Sequence, residues 1–150
     1  MLFGSVDANL SSRLTRLNNA IEKFALEAKA IGLWDSLTVV QFSEFARTLD
    51  PNSSNGVDHA WGGQQFHFGG AVSGGKVRGL YPHNFHESTD NPIALSRGRM
   101  IPTYPWDALW LGTAEWFGIS ATPSEMDKVL PMHSNFPPDK LYRETELYKT

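Results

Sequence analysis

The sequence predicts an α/β domain built on a mostly parallel sheet. Three observations carry that expectation. A long amphipathic helix covers about residues 9–31, a short apolar strand follows it at once, and a second apolar helix lies in the last third. A helix that leads by a short turn into a buried strand is half of a β-α-β unit, and such units build parallel sheets.

The first helix is read from its spacing. Leu10, Leu14, Leu17, Ile21, Phe24, Ala28 and Ile31 recur at alternating intervals of four and three, which puts them on one face. Arg13, Arg16, Glu22, Lys23, Glu27 and Lys29 fall mostly on the other. Asp7, Asn9 or Ser11 can cap its start, and Gly32 suits its end. The strand is "LTVVQF", Leu37 to Phe42, an apolar β-rich run after the turn at Asp35-Ser36.

Next comes "ARTLDPNSSNGVDHAWGG", a loop with turn signals at Asp50-Pro51 and Asn55-Gly56. In open α/β sheets, ligands bind beyond the carboxyl ends of the strands, so this loop starts on the expected functional edge. "QFHFGGAVSGGKVRGLY" alternates and then turns, with a hairpin expected at Ser73-Gly74-Gly75. Residues 82–100 read as loop. "PWDALWLGTAEWFG" reads as a helix that starts near Pro105 and ends at Gly118. Thr122-Pro123-Ser124-Glu125 has the spacing of a capping box for a further short helix. The domain reading is one α/β domain over 1–136, with 137–150 as an extended tail.

The composition narrows the function classes. An apolar fraction of 41% allows a core, and the net charge of −3 is spread without a basic run, so nothing points to nucleic acid. No apolar stretch is long enough for a membrane span, and "MLFGSVDANL" lacks the pattern of a signal peptide. Cysteine is absent, which removes disulfides, thiolate metal sites and a cysteine nucleophile. The Gly-Gly pairs fit neither a dinucleotide fingerprint nor a P-loop, and there is no G-x-S-x-G elbow.

Three places in the sequence remain as candidates for chemistry. Asp58-His59 offers a carboxylate and an imidazole, both standard ligands for zinc and other divalent ions. The competing reading has Asp58 capping a turn and His59 donating to backbone. Glu44 follows the strand and would serve as a metal ligand or an acid/base group. The alternative is an ion pair between Glu44 and Arg47 that fixes the loop. His83 and His86 have ligand spacing but stand in a loop rich in turn residues. His67 alternates with Phe66 and Phe68 and points off the core face, and His133 carries no signal.

"FSEFARTLDPNSSNGVDHAWGGQQFHFGGAVSGGKVRGLYP", followed by "SRGRMIPTYPWDALWLGTAEWFGI" and "VLP…NF", resembles the carboxyl-terminal part of the domain of unknown function 1501 family. The likeness runs from about Gly4 to Phe136. That family is similar to the alkaline phosphatase and sulfatase superfamily. The resemblance implies a partial α/β/α sandwich with carboxyl-terminal helices and divalent-metal hydrolysis of phosphate or sulfate esters. It also implies frequent export for the family, while the compartment of this chain stays open.

Carried over residue by residue, "GSVDANL" matches the family's "G-[FW]-D-T-H"-like motif. Asp7 stands at its aspartate and Asn9 replaces its histidine. In one register Glu44-Phe45 matches the superfamily's Asp-His pair and His59 supplies a later histidine. In the other, Asp58-His59 is that pair. The implied metal set (zinc, calcium or a similar ion) is Asp7, Glu44, Asp58 and His59, with Arg47 orienting an anion. The superfamily's nucleophile comes from strands upstream of those matched here. The resemblance therefore leaves two readings, a metallohydrolase fragment or a non-catalytic structural or binding module. In both, an upstream segment or a second copy of the chain would cover the open sheet edge.

Overall fold

The structure is a computed structural model that describes residues 6–149, with side chains described from Asn9 onward. The chain divides into two compact units. The first comprises 6–70 and 82–102, and the second 71–81 and 103–149.

The first unit opens with α1, Val6–Ala30. Gly32 ends it at φ 72°, where the Gly32 N–H donates to Lys29 O and the Leu33 N–H to Ala28 O. That is a Schellman closure, and only glycine enters its left-handed position without strain. The apolar stripe that predicted this helix remains open: Leu10 is 50% exposed, Leu14 53% and Phe24 43%. A single turn of 3₁₀ helix, Trp34–Ser36, leads to β1, Val39–Gln41.

The expected parallel sheet is not what β1 joins. Its partner is β4, Phe66–Phe68, which runs antiparallel with Val39 opposite Phe68 and Gln41 opposite Phe66. The remaining pairs are β2 (Ala46–Arg47) with β3 (His59–Ala60), and β5 (Ala94–Leu95) with β6 (Arg99–Met100). Both are antiparallel and two-stranded. The physical reason lies in the glycines after β4. A Cβ on Gly69 would sit 2.2 Å from Leu37 O, and one on Gly70 would sit 2.2 Å from Trp34 O. The Gly70 N–H donates to that same Trp34 oxygen at 3.0 Å. Bare glycine backbone thus slides against the chain entering β1, and the downstream strand takes the place a parallel neighbour would have filled.

The second unit is mainly helical. It holds α2 (Asp107–Trp116), α3 (Pro123–Val129) and α4 (Glu144–Leu147). The hairpin expected at Ser73-Gly74-Gly75 does not form. Val72 instead bridges antiparallel to Tyr148, the Ser73 N–H donates to Leu147 O, and the Lys149 N–H donates to Ala71 O. The stretch expected as a polar tail therefore contributes core residues, namely Leu141, Leu147 and Tyr148. Ala71, Val72, Leu147 and Tyr148 form one buried cluster, and Leu111, Met126 and Leu141 form another. Tyr148 stacks on Trp116 at 4.7 Å, and its hydroxyl donates to buried Thr113 at 3.0 Å. The Glu115 carboxylate accepts from the Glu144 N–H and pairs with Arg143, which fastens α4 onto α2. At α3, Thr122 takes the N-cap position without a side-chain bond, and Glu125 pairs with Lys128 at 2.8 Å.

Candidate functional site

The loop between β2 and β3 is folded by its own short polar side chains. Asn52 Oδ1 accepts from the N–H groups of Ser54 (3.0 Å) and Gly56 (2.9 Å). The Asn52 N–H donates to Gly56 O at 2.8 Å, and Asn55 takes the left-handed φ of 55° that closes the turn. Such Asx geometry is why Asn and Gly read as loop in the sequence. Thr48, 3% exposed, ties the loop's two ends. Its hydroxyl accepts from the Asp58 N–H and donates to Asp50 O, and its N–H donates to Asp58 O.

Asp58 is the centre of this arrangement. Its Oδ1 accepts from Asn52 Nδ2 at 2.9 Å, and its Oδ2 accepts from Arg97 Nη2 at 2.6 Å. Arg97 comes from the turn between β5 and β6 at φ 64°, and the same turn accepts backbone N–H groups from Leu49 and Asp50. The Asn52 amide, followed by the Arg97 guanidinium, holds the Asp58 carboxyl below its ordinary range. One carboxylate therefore locks the β2–β3 loop to the β5–β6 turn.

The other candidates stand around it. His59 lies opposite Arg47 in the β2–β3 register. Its ring stacks on Phe45 at 4.2 Å, and the Arg47 guanidinium lies 5.2 Å from the same Phe45 ring. Arg47 donates to Val57 O at 3.4 Å and makes no ion pair with Glu44 among the described residues. Glu44 is exposed, at the apex of a turn that the Ser43 hydroxyl closes onto Phe45. The backbone of Asp7 lies in α1, and its side chain is outside the described residues.

The structure thus brings Arg47, Asp58 and His59 together, with Phe45 and Arg97 as partners. Among the described residues no three His, Asp or Glu side chains converge, and both Asp58 oxygens already accept hydrogen bonds. A metal would have to displace an amide and a guanidinium.

Two features escaped sequence reasoning. Arg97 lies 39 positions beyond Asp58, and no local spacing joins them. His133 gave no signal, yet its Nδ1 lies 2.8 Å from Leu130 O and 3.3 Å from Asp127, beside a cavity of about 290 Å³ floored by Leu111, Met126 and Leu141. His67 bonds to Thr38 across β1 and β4. His83 and His86 are exposed loop residues.

Comparison with known proteins gives one finding. The profile of a family described as "Protein of unknown function (DUF1501)" matches residues 4–96, from α1 through β5, and stops short of Phe136, to which the resemblance extends. No curated protein and no solved structure matches the chain. The profile covers more than half of the sequence and includes every residue of the Asp58-centred loop, and the chain therefore belongs to the DUF1501 family.

Proposed function

We propose that this chain works as a non-catalytic module of its family, in which Asp58 is a structural clasp and not a metal ligand. The observation that supports this reading is the full engagement of the Asp58 carboxylate, one oxygen by Asn52 and the other by Arg97. The clasp holds β2 and β3 in register, and these carry Arg47 and His59, beside the preceding Phe45, on an open face suited to contact with a ligand or partner. The ester-hydrolase reading implied by the superfamily resemblance asks the same carboxylate to leave both partners.

Substitution at this site separates the two. Asp58→Ala is expected to lower the melting midpoint and leave zinc and phosphate titrations of the folded chain unchanged, as measured by calorimetry. Loss of saturable zinc binding with an unchanged midpoint, in Asp58→Ala or His59→Ala, would restore the metal-site reading. The clasp also has a pH signature. A folded pKa below the ordinary aspartate value near 4 gives stabilisation that is fully present above that value. It is lost as pH falls through the lower folded pKa. The difference in midpoint between wild type and Asp58→Ala should therefore shrink as pH drops from about 5 toward about 2.

A further inference from the structure

The largest unexplained feature of the first unit is the apolar face of α1. Soluble proteins seldom leave a contiguous row of large aliphatic side chains in water. Here Leu10, Leu14, Leu17 and Phe24 are all at least 40% exposed, and Ile21 between them is only partly covered. Ala28 is covered within its own fold, so within α1 the open row ends at Phe24, and exposed Ile31 lies just past the helix.

The spacing of this row is that of a coiled-coil seam, with steps of four and three that alternate without a break. In such a seam the residues flanking the apolar row decide orientation and partner. On one flank stand Arg13, Ala20 and Glu27, and on the other Ser11, Asn18 and Ala25. With two copies antiparallel and Leu17 layered against Ile21 of the second copy, Leu14 meets Phe24. In that register Arg13 of each copy meets Glu27 of the other, twice by symmetry. Ala20 meets its own equivalent on the two-fold axis and lets the backbones approach, and Asn18 faces Asn18 on the opposite side. A parallel pair in register would set Arg13 against Asn18 and leave both charges unmatched. Among the described residues neither Arg13 nor Glu27 takes part in an ion pair.

We propose that α1 is a self-association element, and that a second copy of this chain covers its apolar face in an antiparallel pair keyed by Arg13 and Glu27. The interface is isologous, as a two-fold dimer requires. The seam is short, so the pairing is concentration-dependent.

The test uses the full chain and sedimentation equilibrium from roughly 10 μM to 1 mM, a range that spans weak dimers. The wild type is expected to dimerise. Arg13→Glu and Glu27→Arg each place like charges together twice and should weaken the dimer on the order of tenfold. An equimolar mixture of these two variants should recover wild-type affinity, because each then supplies the charge the other lacks. The double variant should recover it as well. Both positions are exposed, and circular dichroism reports whether the helix persists. A wild type that stays monomeric to 1 mM overturns the proposal and leaves the face to another partner. A dimer insensitive to charge reversal, or a mixture that fails to recover, overturns it too.

Discussion

The two units are held together by different means. In the second, large side chains interlock: Met126 is 1% exposed, and Leu147 and Tyr148 are each 2% exposed. In the first, the buried apolar residues among those described are Ala28, Ala60 and Ala94. That unit relies on glycine backbone packed against backbone, on Asx and Schellman turns, and on the Asp58 clasp. Apolar burial scales with area removed from water, and three alanines remove little. The unit that carries most of the family's profile is therefore the one with the smaller core of its own. In such a unit the hydrogen bonds of Asp58 to Asn52 and Arg97 join segments that an interior leucine would join elsewhere.

The contrast can be broken by mutation. Leu147→Ala should cost about 2–5 kcal/mol, as expected for emptying a packed site. Leu26→Ala on α1, 61% exposed, should change stability by less than about 0.5 kcal/mol. Denaturant midpoints that fall equally in both variants would erase the distinction.

Two glycines divide in the same way. Gly70→Ala forces a Cβ against Trp34 O and should cost about 1–3 kcal/mol, with a change in the near-ultraviolet signal of Trp34. Gly74→Ala meets nothing within 4 Å and should be neutral to within about 0.5 kcal/mol. Equal tolerance at both glycines would refute the close-approach account of the β1–β4 pairing.

The smallest effect belongs to the second unit at alkaline pH. Burial, together with its stacked neighbour Tyr104, pushes the Tyr142 phenol up to about 12. A raised folded pKa means stabilisation that is complete below the ordinary tyrosine value near 10 and lost as pH rises through about 12. Absorbance titration at the phenolate band should show a lagging step near pH 12. Tyr142→Phe should remove that lagging step and flatten the loss of stability with alkali.

Much of the local structure was legible in the sequence, because local structure follows local chemistry. The four-three spacing marked α1, Gly32 marked its end, and Pro105 and Gly118 bracketed α2. The strand at Val39–Gln41 was also legible, but its partner was not. A short apolar run fits either a parallel or an antiparallel neighbour, and the choice turned on a steric contact between Gly69-Gly70 and the chain at Trp34 and Leu37. At the site, Asp58 stood out by residue type and loop setting. Its task was hidden because Arg97 reaches it from a distant turn. The polar look of 137–149 misled for a similar reason. Its few apolar residues, Leu141, Leu147 and Tyr148, show no helical or strand period, yet each finds a buried slot in the second unit.

The bridge between Val72 and Tyr148 bears on how the protein is made. Synthesis runs from the amino terminus, and domains tend to fold as they emerge. The second unit cannot do so, because Ala71 and Val72 wait for Leu147 and Tyr148, which leave the ribosome much later. During that interval Trp116, Leu109 and Leu111 on α2 have no lid, while the strands of the first unit are already complete. The nascent chain therefore passes through a stage in which its later half is an adhesive surface, and chaperones that shield apolar helices would act in that window.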